Sequence, residues 1–230
     1  MQDIAGRLTE ELQSKTSFTI PFFGGSSIPV PTSAVVTWGI MAFLMILTLI
    51  FVRNLQMIPK KPQVVLEGLV GFINDFFTDI LGQHGKMYAP YLGTVLIYLA
   101  FSNLMGLFGI TPPTKDLNVT AGLAFMSIIL IEFSGIHAKG FKGYIKSFAH
   151  PMPAMTPFNI LELFIRPLSL CMRLFGNIFG GFVIMELIKL LVPAVIPVPF
   201  SFYFDIFDGL LQAYVFVFLT SLFMQEKLEA

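Results

Sequence analysis

FNILELFIRPLSLCMRLFGNIFGGFVIMELIKLL, Phe158–Leu191, decides how the rest of the chain is read. As one α-helix its 34 residues extend about 51 Å at 1.5 Å per residue. The hydrocarbon core of a bilayer is only about 30 Å thick. Such a helix must tilt strongly, bend at Pro167 or lie partly along the membrane surface. Its polar residues are not scattered. Glu162, Arg166, Ser169, Arg173 and Asn177 follow one another at spacings of 4, 3, 4 and 4, which places them on one helical face. A charge at mid-bilayer costs roughly 2.5–3.5 kcal/mol on insertion scales and marks a functional path by default. Arg173, set in a run of Leu, Met and Phe, is therefore the leading candidate. Glu162 and Arg166 have a second reading, as side chains that snorkel to the interface. Glu186 and Lys189 have one too, as an i,i+3 pair. Gly176 and Gly180 form a GxxxG pattern that suits close helix packing, within the chain or against another subunit.

On the C-terminal side the prolines of VPAVIPVP stop this helix, and a last helix is expected over Phe200–Phe223. Asp205, Asp208 and Gln212 recur there at spacings of 3 and 4, again as one stripe. Asp205 also fits a first-turn cap. Two antiparallel helices with facing polar stripes predict a wet seam through an apolar body. Positions equidistant from Ile196 should lie at similar depth. This pairs Glu186 with Asp205 or Asp208 near one membrane face and sets Arg173 deeper.

On the N-terminal side three further spans are expected: residues 34–52, without a single charge; 90–110; and 117–136, interrupted only by Glu132. Residues 62–81 carry Glu67, Asp75 and Asp79 among apolar residues, a pattern for an interfacial amphipathic helix. With spans at 158–191 and 200–223, the expected fold is a single all-α membrane domain of five transmembrane helices and one interfacial helix. Arg53, Lys60 and Lys61 follow the first span, and Lys139, Lys142 and Lys146 follow the third. The positive-inside rule then puts the N-terminal segment 1–33 outside and the C-terminus in the cytoplasm.

Composition supports this class. The chain has 230 residues, 55% of them hydrophobic and 12% charged, against about 25% charged in soluble domains. The mean hydropathy is +0.79. Fourteen basic and fourteen acidic residues cancel, so no field for nucleic acid is expected. The lone Cys171 permits no internal disulfide, and His84, His137 and His150 are too scattered for a local metal motif. No phosphate loop, dinucleotide fingerprint, HExxH or nucleophile elbow occurs, so neither a cofactor nor an enzymatic site is expected in this chain. A stand-alone ion channel or secondary transporter is the competing class, but no internal repeat of the transporter kind is present.

Three segments resemble subunit a of F-type ATP synthases, in that family's order: PTKDLNVT (Pro113–Thr120), RPLSLCMRLFGNIFGG (Arg166–Gly181) and LLQAYVFVFLTSLF (Leu210–Phe223). The RLFGN form resembles bacterial or plastid members. The resemblance implies a non-catalytic stator whose long tilted helix hairpin packs on a ring of c subunits. It also implies a b-subunit peripheral stalk, a soluble ATPase headpiece and a multi-pass place in the bacterial plasma membrane. Two offset half-channels would carry H+ or Na+ to and from ring carboxylates, and Arg173 would be the essential arginine between them. By the same resemblance Asp116, Asn118 and Asp205 would line the outer half-channel, Asn177 and Gln212 would lie near the arginine or that half-channel, and Glu162, with Ser169, would belong to the inner one. Many family members place an acid or a histidine nine residues after the arginine, where this chain has Phe182. Glu186, one turn further, is expected to supply the missing group together with Asp205 and Asp208.

Overall fold

The computed structural model describes residues 16–21, 27–53, 61–82, 85–147, 156–191 and 197–229. Lys60, His84, His150 and the turn around Ile196 lie outside the described residues. Two short strands, β1 (Thr16–Pro21) and β2 (Ser27–Pro31), pair antiparallel with Phe18 opposite Val30 and Ile20 opposite Ile28. This hairpin is an addition to the all-α expectation for residues 1–33. It hands directly into α1 (Thr32–Val52), whose start follows Pro31 in extended conformation. With no charge to keep out of lipid, α1 is apolar all round, and Ile40 alone among its residues is buried. Polar contacts tether it: Ser33 Oγ donates to Asp116 Oδ2 at 2.6 Å, the Thr37 hydroxyl lies 3.2 Å from that of Tyr98, and Thr32 Oγ1 accepts from Ser17 Oγ at 3.0 Å.

Helix α2 (Lys61–Leu81) is amphipathic. Ile73, Phe77 and Leu81, spaced by four, enter the core, while Glu67, Asp75 and Asp79 stay exposed. Helix α3 (Gly85–Leu104) tightens into a 3₁₀ turn, Met105–Phe108, which Gly109 ends in the left-handed region at φ 72°. There the N–H groups of Gly109 and Ile110 cap the carbonyls of Gly106 and Met105. After a second 3₁₀ turn, Pro113–Lys115, Asp116 starts α4 (Leu117–Ser147) by accepting the Asn118 N–H on its side chain at 3.0 Å.

Helix α4 runs well past the expected end at residue 136. The polar residues after Glu132 end the lipid-compatible run but not the helix: His137 stacks on Phe133 one turn back, and the helical path bends only at Gly140, φ 70°. Beyond the bend Tyr144 returns to donate to Glu132. Helix α5 (Thr156–Leu191) is 36 residues long and continues through Pro167 as a single helix. The last segment is continuous as well: a short α6 (Pro197–Ser201), a π-helical stretch Phe202–Asp208, and α7 (Gly209–Glu229).

Five helical segments, Thr32–Val52, Lys86–Phe108, Leu117–Tyr144, Thr156–Lys189 and Pro199–Leu228, are long and apolar enough to cross a membrane, and α2 is not among them. The chain is thus a multi-pass helical membrane protein. Helix α7 is its centre, packed on α3, α4 and α2 through Ala213, Phe216, Val217 and Met224. Helix α5 leans mainly on α4 through Leu170, Cys171 and Leu174. It touches α7 at a few points only, so the expected hairpin seam is a crossing of two helices, α5 seated chiefly on α4 and α7 on α3 and α4 together, and not a long shared interface.

Candidate functional site

The stripe predicted on α5 lies on the margin between its buried and open faces. The buried residues are Arg166, Leu170, Cys171, Leu174 and Gly181; Leu168, Ser169, Met172, Arg173 and Asn177 are exposed. Small differences in angle therefore separate residues that share the stripe. Arg166 turns inward, where its Nη2 donates to Glu162 Oε2 at 2.5 Å and to Glu226 Oε1 on α7 at 2.6 Å. Arg173 turns outward; among the described residues it forms neither a hydrogen bond nor an ion pair. Its burial in an apolar stretch is thus burial along the sequence, not inside the protein. Its open face also carries the exposed side chains of Phe164, Leu168 and Met172.

One turn beyond Arg173, the Asn177 side-chain N–H donates to Gln212 Oε1 at 2.8 Å. This bond brings Gln212 of the second stripe close to the depth of Arg173, which the count from Ile196 alone does not do. Gln212 is otherwise enclosed, and its Nε2 has no hydrogen-bond partner among the described residues.

A cavity of about 420 Å³ opens beside this pair. Asn177, Phe182 and Glu186 of α5, Asp205 and Asp208 of the π stretch, and Lys115 line it. A π turn, with its i→i+5 bonding, shifts side chains out of α-helical phase and recurs at functional sites. Here the π stretch is where Asp205 and Asp208 arise. Ser201 Oγ donates to Asp205 Oδ2 at 2.5 Å, so Asp205 accepts from within its own helix as well as facing the cavity. Gly106 makes room for it: a Cβ there would lie 2.3 Å from Asp205 Oδ1. Gly181 serves similarly, since a Cβ on it would meet the Phe204 ring at 3.2 Å. Asn103, also on the cavity wall, is buried, donates to the Gly209 carbonyl at 2.8 Å and accepts from the Thr114 hydroxyl at 2.8 Å.

Glu186 is half-buried and paired with Lys189 at 2.8 Å. Asp116 does not line this cavity; it caps α4 and binds Ser33. Asn118 faces a separate apolar groove between α1, α3 and α4. Glu162 and Ser169 lie exposed on α5, on the other side of Arg173 from the cavity. Among the described residues no three His, Cys, Asp or Glu side chains stand together as a metal site.

Three participants escape a reading of the sequence alone. Lys115 places its ammonium 3.3 Å from the centre of the Phe182 ring, a cation–π contact at the position where an acid or histidine was expected. Its only signal in the sequence is its place within PTKD, where it counts as a loop charge. Asn103 is a lone amide in an apolar span, a signal of the kind that marks an internal hydrogen bond. Glu226, close to the C-terminus, gives no signal at all.

The family model described as ATP synthase A chain matches residues 34–225. A subunit a of Propionigenium modestum whose name specifies sodium ion is 35% identical over 88% of this chain and 75% of its own length. ATP synthase subunit a of Moorella thermoacetica is 36% identical over 87% of this chain and 92% of its own. A subunit a of a Bradyrhizobium strain is 33% identical, covering 93% and 96%.

Proposed function

Because this chain belongs to the ATP synthase A chain family, we propose that it is the membrane stator that passes H+ or Na+ to and from the carboxylates of a rotating c-ring. One observation carries the reading: Arg173 is exposed on the open face of α5, unpaired among the described residues, one turn from the Asn177–Gln212 bond at the cavity wall. A guanidinium keeps its charge under any burial a membrane imposes. With no partner among the described residues, it is available to a carboxylate on another chain. An opposite charge within about 4–6 Å lowers a carboxyl pKa by about 1–3 units, at about 1.4 kcal/mol per unit, which favours release of a bound proton. The same positive charge repels a free cation, so ions cannot leak directly between the two access paths and must travel with the ring.

The cavity serves as the outer path in this reading. Glu186, Asp205 and Asp208 relay the cation inward to Asn177 and Gln212, and Lys115 on Phe182 sets the field at its wall. Asp116 and Asn118 support that path by shaping the segment that carries Lys115. Glu162 and Ser169 border the inner path on the open side of α5. The N-terminus faces outward and the C-terminus the cytoplasm of a bacterial cell, where the b-subunit stalk and the ATPase headpiece attach.

Purification and one substitution test the proposal together. The chain should copurify with a c-ring and an ATPase headpiece, whereas a self-sufficient channel or transporter would come out alone. Arg173→Ala should leave that complex assembled and abolish ATP synthesis driven by an ion gradient. Synthesis retained in the variant would overturn the role of Arg173.

A further inference from the structure

Arg166 is the one buried charged residue among the described residues, 7% exposed. Its charge is met from two helices: Glu162 lies one turn back on α5, and Glu226 projects from α7. The guanidinium carbon also stands 4.9 Å from the centre of the Phe223 ring, one turn before Glu226 on α7. Both carboxylate partners are about half exposed, so the arginine is the enclosed member of the set and the carboxylates surround it.

This clamp has a counterpart. Eleven residues further along α5, Asn177 binds Gln212, which lies fourteen residues before Glu226 on α7. Arg173 falls between the two cross-links. At 1.5 Å per residue the ties are about 16 Å apart on α5 and about 21 Å apart on α7. The crossing of the helices and the reach of the arginine side chain take up the difference. Away from these ties α5 rests mostly on α4, through an apolar face of Leu170, Cys171 and Leu174. Apolar packing in a membrane resists sliding and rolling only weakly, because lipid is as apolar as the partner helix. A helix pinned at one point can pivot about it; a helix pinned on both sides of Arg173 holds that side chain at one rotational setting.

We propose that Arg166 is a positioning residue. Its bridge to Glu226 and Phe223 locks the long helix to the C-terminal helix and sets the angle at which Arg173 faces its partner. The inference rests on the role proposed for Arg173, but the lock itself can be tested without any ion flow. A Cβ on Gly181 would lie 3.8 Å from Phe204 Cβ, close to the separation a disulfide needs. In a Cys171→Ser background the pair Gly181→Cys, Phe204→Cys therefore reports the register of α5 against the last helix. Adding Arg166→Leu should slow formation of this cross-link. In chains without the cysteine pair, Arg166→Leu should lower ion-driven ATP synthesis roughly tenfold, equivalent to about 1.4 kcal/mol. Arg166→Lys should restore both in part, and Arg166→Glu with Glu226→Arg should restore them further. If Arg166→Leu complexes do not assemble, Glu226→Gln, at an exposed position, gives the same two readouts with smaller changes. Unchanged cross-linking and synthesis in the assembled variant would overturn the proposal. A slower cross-link with unchanged synthesis would overturn the positioning role and leave a structural one. Failure of the role assigned to Arg173 would show separately, as synthesis retained in Arg173→Ala.

Discussion

Arg166 and Arg173 lie seven residues apart on α5, yet Arg166 is enclosed and doubly paired while Arg173 is exposed and, among the described residues, unpaired. The contrast follows from where the margin of the buried face runs. A step of seven residues returns to nearly the same angle on a helix, and at this margin a small residual rotation is enough to turn one guanidinium inward and the other outward. Inside, a lone charge would be prohibitive, so carboxylates surround Arg166. Outside, the charge of Arg173 meets no counter-charge among the described residues.

Gly106→Ala should displace Asp205. The new Cβ would lie 2.3 Å from Asp205 Oδ1, and a flexible carboxylate moves more readily than backbone. Overpacking of this kind costs about 1–3 kcal/mol, so the complex should assemble with lowered ATP-driven pumping. Adding Asp205→Asn to Gly106→Ala should lower pumping little further. A clearly larger fall in the double variant would show that Asp205 still works in its new position.

Glu186→Gln should reduce both pumping and ATP synthesis. It removes one of the acids on the cavity wall and unpairs Lys189. The exposed salt bridge itself contributes only about 0–1 kcal/mol to stability, so the yield of assembled complex should not change. Wild-type transport rates in the variant would remove Glu186 from the ion path.

Asn177 and Gln212 should act as one unit. Replacing either by Leu breaks the same 2.8 Å bond, so the double variant should transport no worse than the poorer single one. A double-mutant cycle on ATP synthesis rates should return a coupling of about 0.5–3 kcal/mol. Fully additive losses would mean that the two amides act independently.

Asn103→Leu should loosen the cavity wall. It leaves the Gly209 carbonyl and the Thr114 hydroxyl without the partners they now have. A buried polar group so abandoned costs about 1–3 kcal/mol. The temperature at which the detergent-solubilised complex dissociates should fall, and Thr114→Val, which breaks one of the two bonds, should lower it less.

Much of this architecture is legible along the chain. The long apolar runs announce the five spans, because the bilayer demands about twenty apolar residues from any helix that crosses it. The three acids of α2 mark it as amphipathic. The spacing of the polar residues on α5 and α7 shows that each set shares a face. The count from Ile196 pairs Glu186 with Asp205 or Asp208, and all three line one cavity.

Other features are silent in one dimension. The π stretch at Phe202–Asp208, the bend of α4 delayed to Gly140, and Lys115 resting on Phe182 leave no local signature strong enough to read. The sequence by itself determined the spans, the two polar stripes and the family, since each rests on residue type and spacing alone. Only the tertiary structure decided which stripe residues turn inward, which helix α5 leans on, and that Arg173 alone of its two arginines stays open. The physical reason is the solvent: in a bilayer the lipid-facing and protein-facing sides of a helix are equally apolar, so hydrophobicity identifies the helix but not its buried face.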